Sequence, residues 1–159
     1  LNIHGEQDQH VSRRLREEGI WEPFETSLLL SLLAPGDVFV DVGANIGYFS
    51  VLAASLVGDT GAVFAFEPDP DNYRLLAANT ALNGLEHRTT LVPGALSDVA
   101  REGRLFLSTD NLGDHRVYAG DEARASVPVP LYRGSEFLAG RLARLDLLKV
   151  DTQGSEYQV

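Results

Sequence analysis

Two carboxylates at the ends of two buried strands, with a glycine turn beside them, are the residues of this chain best placed to do chemistry. Residues 37 to 47 read Asp37-Val38-Phe39-Val40-Asp41-Val42-Gly43-Ala44-Asn45-Ile46-Gly47. An apolar strand carries Asp41 at its end and runs into a turn bounded by Gly43 and Gly47. Further on, Ala62-Val63-Phe64-Ala65-Phe66 reads as a second buried strand and ends in Glu67. A glycine turn lets the body of a ligand approach the backbone, and Glu67 can accept hydrogen bonds from ribose hydroxyls. The combination suits a ligand that carries a nucleoside.

The turn narrows the choice of nucleoside. A phosphate-binding loop needs a lysine after its last glycine, and none follows Gly47. A dinucleotide loop needs a middle glycine so that backbone reaches the pyrophosphate; Ala44 and Asn45 fill that space here. Asp41 would repel a phosphate. It would attract an ammonium or a sulfonium, and S-adenosylmethionine has both, together with a ribose for Glu67. Capping of turns is the structural alternative for both acids.

Several further stretches follow in order. They are Tyr48-Phe49-Ser50 after the turn, Phe66-Glu67-Pro68-Asp69-Pro70, Ala95-Leu96-Ser97-Asp98, Asn111-Leu112-Gly113-Asp114-His115-Arg116, and Leu148-Lys149-Val150-Asp151-Thr152-Gln153-Gly154-Ser155-Glu156. With the Asp41 to Gly47 turn, they make the chain resemble the FkbM family of class I S-adenosylmethionine-dependent methyltransferases over about residues 20 to 159. The resemblance implies S-adenosylmethionine as cofactor. It implies cofactor contacts at Asp41, Gly43, Ala44, Asn45 and Gly47, at Glu67 and Pro68, and at Ala95, Leu96 and Asp98. Asp151, at a strand end facing the same crevice, is the first candidate for the chemistry, near the sulfonium or the acceptor. His115 is the second, since imidazole titrates near neutrality. Gln153 departs from the family pattern, which usually has an acid there. No metal site is expected: Asp151 and Glu156 are two oxygen ligands only, and Glu156 also suits a helix start.

These residues need a scaffold, and the pattern supplies one. Pro23 opens a helix carrying Leu28, Leu29, Leu32 and Leu33 up to Pro35-Gly36, expected to pack on the sheet with Trp21 and Phe24 as anchors or as a flap over the ligand. A helix with Phe49, Leu52, Ala53 and Leu56 on one face follows the turn. Its N-terminal amides can receive a carboxylate. Asp69 caps a further helix with Pro70 at its first position, ended by Asn83-Gly84. A third strand spans Thr89 to Ala95. Arg104 to Ser108 and Ser126 to Leu131 read as a hairpin around a loop at Asp110 to Gly120, with Pro128 and Pro130 restricting the second strand to an edge. Ser135 to Arg144 reads as a helix and Leu145 to Asp151 as a fourth parallel strand. The alternation of strand and helix predicts an α/β fold: a doubly wound, mostly parallel sheet. Residues 1 to 20 read as a solvated polar arm with a short helix from Ser12 to Glu18, and residues 21 to 159 as the cofactor domain.

Composition excludes other classes. The formal net charge is −10 over 159 residues, which argues against nucleic acid as a partner, because affinity there comes from cations on phosphates. Cysteine is absent, so no disulfide or thiolate metal site exists. No apolar run approaches about 18 residues, so no membrane partner is expected. The chain has no methionine and starts at Leu1, which reads as part of a longer protein. By resemblance the full sheet has seven strands, and the first four are recognised here. The fourth is then expected to form an exposed edge that favours a homodimer. The function expected is methyl transfer from S-adenosylmethionine to a hydroxyl of a sugar or secondary metabolite, a small-molecule acceptor, in the cytoplasm. A cofactor-binding module without turnover and a nucleotide-dependent oxidoreductase are the competing classes.

Overall fold

A computed structural model describes residues 1–5, 8, 10–108, 115–117 and 124–159. The elements are α1 (Val11–Glu18), α2 (Pro23–Leu32), β1 (Val38–Val42), α3 (Tyr48–Val57), β2 (Ala62–Phe66), α4 (Pro70–Leu82), β3 (Thr89–Val92), β4 (Ala95–Ser97), β5 (Arg101–Phe106), β6 (Ser126–Arg133), α5 (Gly134–Leu138) and β7 (Leu147–Val150). Four strands form a parallel sheet in the order β3-β2-β1-β7. This is the α/β, mostly parallel sheet expected from the alternation of strand and helix.

Alternation along the strands divides the core into two layers. Phe39 and Val63 face α2 and α3, where they meet Leu29, Leu33, Phe49, Ala53 and Val57. Val40, Val42, Phe64 and Phe66 face the other way, against Val92, Leu96, Tyr132 and Phe137. Both central strands are therefore buried on both faces and apolar except at Asp41, as strands covered on each side must be. Asp41 has the parity of Phe39 and points into the α3 layer.

The sheet is pinned at its lower end by charge. Arg144 holds Asp37 and Asp146, each at 2.7 Å, and Asp146 also accepts from the Val38 N–H at 2.8 Å. These contacts fix the register in which Asp41 pairs with Lys149 and Val42 with Val150.

Four expectations need correction. The third strand is split: Pro93 has no N–H for the ladder, so β3 ends at Val92, and β4 turns away to pair with β6. The expected hairpin exists as β5 against β6, but β6 is the central strand of the second sheet, ordered β4-β6-β5. Pro128 and Pro130 are tolerated because β4 pairs with β6 only over Leu131–Arg133. The helix expected over 135–144 stops at Leu138. Ala139 (φ −56°, ψ 125°) and Gly140 (φ 71°) make a type II turn closed by the Arg141 N–H on the Leu138 carbonyl at 3.0 Å. Finally, Leu29 is the only buried leucine of α2, with Leu33 buried just past its end, while Phe24, Leu28, Leu30 and Leu32 are exposed. Phe24 is thus not an anchor.

The N-terminal arm is docked rather than solvated. Asn2 exchanges hydrogen bonds with the Asn79 side chain, His4 Nε2 meets Asn72 Oδ1 at 2.6 Å, and buried Asp8 accepts from the Ser12 N–H at 2.7 Å. Val11 and Ser12 are buried. Side-chain hydrogen bonds, invisible to a reading of charge and hydropathy, hold the arm to α4. Among the described residues no helix is long and apolar enough to cross a membrane.

Candidate functional site

A cavity of about 160 Å³ opens at the carboxyl ends of β1, β2 and β7, the usual place for a ligand in an open α/β sheet. Its floor is the glycine turn. Gly43 and Ala44 both donate to the Phe66 carbonyl, at 3.0 and 2.9 Å, and Gly47 donates to the Ala44 carbonyl at 2.9 Å. The turn needs left-handed backbone at Gly43 (φ 81°), Asn45 (φ 51°) and Gly47 (φ 88°). Gly43 is also required sterically: a Cβ there would lie 1.9 Å from the Asp151 carbonyl oxygen.

Glu67 ties two loops together. Its Oε2 accepts from the Asn45 N–H at 2.7 Å and its Oε1 from the Asp69 N–H at 2.8 Å. Burial pushes its pKa up to about 8; the two backbone donors oppose the shift, and the nearby Asp69 and Asp41 carboxylates add to it. Around it, Pro68, Ala95, Leu96, Ile46 and Leu105 give the cavity apolar walls.

His115 belongs to this end of the cavity. Its Nδ1 accepts from the Ser108 N–H at 3.0 Å, so the neutral ring carries its proton on Nε2, which stands 3.8 Å from Asp69 Oδ2. Asp69 caps α4 as expected, accepting from Asp71 and Asn72. Residues 111–114 of the same motif lie outside the described residues.

The other end is charged. Lys149 Nζ lies 3.7 Å from Asp41 Oδ1 and 3.7 Å from Asp151 Oδ2, over the Phe49 ring at 5.0 Å. Asp151 is partly exposed, and its Oδ1 accepts from Gln153 Nε2 at 2.7 Å. Gln153, with φ 56°, therefore steers Asp151. Glu156 accepts from the Gly154 N–H and, with less effect, from the Thr152 N–H, which lowers its pKa; it caps a turn. Among the described residues, no three His, Cys, Asp or Glu gather as a cation site.

Residues 41–159 match the methyltransferase FkbM domain. The chain belongs to the FkbM methyltransferase family. It is 31% identical over 155 residues to the 31-O-demethyl-FK506 methyltransferase FkbM of Streptomyces tacrolimicus, covering 80% of this chain and 59% of that protein. It is 28% identical over 141 residues to the hexuronic acid methyltransferase AglP of Haloferax volcanii, covering 83% of this chain and 52% of that protein. The chain thus spans about half the length of these curated relatives. A solved S-adenosylmethionine-dependent O-methyltransferase from Thermotoga maritima superimposes over 50% of this chain and 32% of its own, with a TM-score of 0.44 and 27% identity.

Membership of the FkbM family implies S-adenosylmethionine as the cofactor, and the cavity's chemistry fits it. Apolar walls suit the faces of an adenine, a buried carboxylate suits hydroxyl donors, and a carboxylate-rich end suits a cation. Gly43, Ala44, Asn45, Glu67, Pro68, Ala95, Leu96, His115 and Asp151 all border the cavity, and Gly47 closes its turn. Besides Gly47, two expected residues, Asp41 and Asp98, do not border it. Asp41 is completely buried, with Ser50 Oγ donating to it at 2.6 Å and Lys149 facing its other oxygen. Asp98 points away: its carbonyl accepts from Arg133 Nε at 2.9 Å, and its side chain meets Ser97 Oγ. Sequence reasoning missed Lys149 and Glu22 as wall residues, and left Trp21 undecided between anchor and flap. Trp21 packs on the core and borders the cavity at once. Lys149 could have been found as the only lysine of the chain, set one residue from Val150-Asp151 on a strand otherwise apolar.

Proposed function

We propose that the chain is the cofactor-binding part of an S-adenosylmethionine-dependent O-methyltransferase acting on a hydroxyl of a small sugar-like or secondary-metabolite acceptor. The observation that carries this reading is the division of one cavity into two ends. Glu67 and the apolar walls sit over β2 and β4; Asp151 and Lys149 sit over β7. The two relatives are named for activities on an FK506 derivative and on a hexuronic acid, which supports a small acceptor. The net charge of −10 speaks against a polyanionic one.

The cofactor supplies an electrophilic methyl carbon. In the transfer an O–C bond forms, the S–C bond breaks, and the hydroxyl proton leaves. Positioning contributes most to such an in-line displacement, and a base must take the proton. Asp151 is the residue assigned that proton: its carboxylate is partly exposed, borders the cavity and is steered by Gln153. His115 lies over β2 with Asp69. His115 is held beside β5 and next to Asp69 at the start of α4, whereas Asp151 follows β7. His115 is therefore assigned to the adenosine end and not to the base.

The same reading places the protein in the cytoplasm, where the cofactor is made, and pairs two copies through β7, whose single strand neighbour among the described residues is β1. Titration calorimetry with S-adenosylhomocysteine, followed by a methyl-transfer assay on hydroxylated sugars, uronic acids and macrolide alcohols, tests the function. Binding is expected of this chain, and transfer to oxygen of the whole protein of which it is part, not of the chain alone. Binding of NAD in preference to S-adenosylhomocysteine would overturn the reading; binding without transfer to any acceptor by the whole protein would favour a non-catalytic module.

A further inference from the structure

Glu22 has an unusual backbone and a carboxylate that makes no hydrogen bond or ion pair among the described residues. It stands at the start of α2 with φ 43° and ψ 75°, left-handed although it is not glycine, and directly before Pro23. Such conformations persist where the surroundings impose them, and they concentrate at functional sites. Here Thr26 imposes it. The buried Thr26 hydroxyl donates to the Trp21 carbonyl at 2.7 Å and meets the Tyr48 hydroxyl at 3.2 Å, and the Thr26 N–H donates to the Glu22 carbonyl at 2.8 Å. A side chain at this position would ordinarily accept from the first amides of the helix. Glu22 makes no such cap. Instead it borders the cavity beside Tyr48, Phe49, Lys149 and Asp151.

We propose that Glu22 receives the α-ammonium group of the cofactor's methionine half. The inference rests on the S-adenosylmethionine reading and adds a contact outside residues 41–159, the part matched to the family. The charges around Glu22 favour a cation. Asp41, the acid that the sequence offered for this task, is buried and already faces Lys149, which it shares with Asp151. One ammonium thus serves two carboxylates before Glu22 is counted. Burial raises the Glu22 pKa; the Asp151 and Glu25 charges add to the rise, and Lys149 only partly opposes it. A cation placed between Glu22 and Asp151 relieves that repulsion. Of the cofactor's two cationic centres, only the ammonium carries N–H donors for a carboxylate. The carboxylate of the same amino acid has its own counterpart next to Glu22: α3 starts at Tyr48 with no side chain capping its amides.

The test is calorimetry on the unaltered chain and on Glu22→Gln, with two probes. S-adenosylhomocysteine carries the ammonium; 5′-methylthioadenosine keeps the adenosine but lacks the amino acid. The substitution is expected to weaken S-adenosylhomocysteine by about tenfold to a hundredfold and to leave methylthioadenosine within about twofold. Glu22→Gly suits the left-handed backbone, so it should keep the melting temperature of the unaltered chain and show the same selective loss. Equal losses for both probes would make Glu22 a support of the cavity wall, and no loss would remove it from the site; either result overturns the proposal. Failure of the unaltered chain to bind either probe would overturn the cofactor reading itself, and this proposal with it.

Discussion

Asp41 and Lys149 are register partners on adjacent parallel strands, and their charges meet 3.7 Å apart beneath the cavity. Asp41 is wholly buried, while Lys149 reaches the cavity wall. Removing only the cation would leave an uncompensated buried carboxylate, a change that typically costs about 3–5 kcal/mol. Lys149→Met should therefore destabilise strongly in urea, and adding Asp41→Asn should restore part of the loss. Strictly additive effects in the double variant would show that the two charges do not compensate one another.

Glu67 makes stability depend on pH with a defined sign. Its carboxyl is raised from 4.5 to about 8 in the fold, so the folded state holds a proton that the unfolded state has released. The contribution is complete below about pH 4.5 and is lost as pH rises through about 8, by roughly 3–5 kcal/mol if the whole shift is realised. Glu67→Gln cannot titrate. Denaturation midpoints measured from pH 4.5 to 8.5 should fall further for the unaltered chain than for this variant. Parallel pH profiles would show that Glu67 is already ionised in the fold.

Ligand binding should draw on the same proton. Ribose hydroxyls donating to Glu67 favour the carboxylate over the acid. At pH 7, S-adenosylhomocysteine should therefore release up to about one proton per site, seen as a buffer-dependent enthalpy in two buffers of different ionisation heat. An enthalpy independent of buffer would place the ribose away from Glu67.

Gly43 and Gly47 should not be equally sensitive. A Cβ on Gly43 runs into the Asp151 backbone, whereas one on Gly47 meets the Leu76 side-chain methyl Cδ1 at 2.6 Å. Backbone cannot yield as a side chain can. Both substitutions carry left-handed strain of order 1–3 kcal/mol. Gly43→Ala should lower the melting temperature more than Gly47→Ala and should also weaken S-adenosylhomocysteine. The reverse order would show that the Gly43–Asp151 contact relaxes freely.

Asp151 and His115 should separate kinetically. Asp151→Asn should lower kcat with a smaller change in cofactor KM, and His115→Ala should raise cofactor KM with a smaller change in kcat. An opposite split would return the base to His115.

Much of the sheet was legible because it is written in local signals. The apolar runs of β1, β2 and β7, the Asp69-Pro70 helix start and the glycine turn each specify themselves. The errors share a different cause. Proline next to glycine at 93–94 ended a strand that hydropathy would continue, and Ala139-Gly140 turned a helix that propensity would extend. The burial of Asp41 against Lys149 is a matter of register. Strand-end position gave the acid's location along the strand, but only the pairing with β7 reveals which neighbour it faces. Glu22 was hidden more deeply, since its place depends on a turn held by a hydroxyl four residues on and on walls contributed from the far end of the chain.

The docked arm has a consequence for folding order. Its polar anchors join partners 77 residues apart, Asn2 with Asn79 and, nearly as distant in sequence, His4 with Asn72. Closing so long a loop costs entropy before any contact rewards it. The anchors lie on α4, so the arm can dock only once that helix is in place. His10 and Val11 then arrive with it as part of the cavity wall. The enclosure rests on a handful of side-chain hydrogen bonds, so it is expected to open under milder conditions than the strands beneath it.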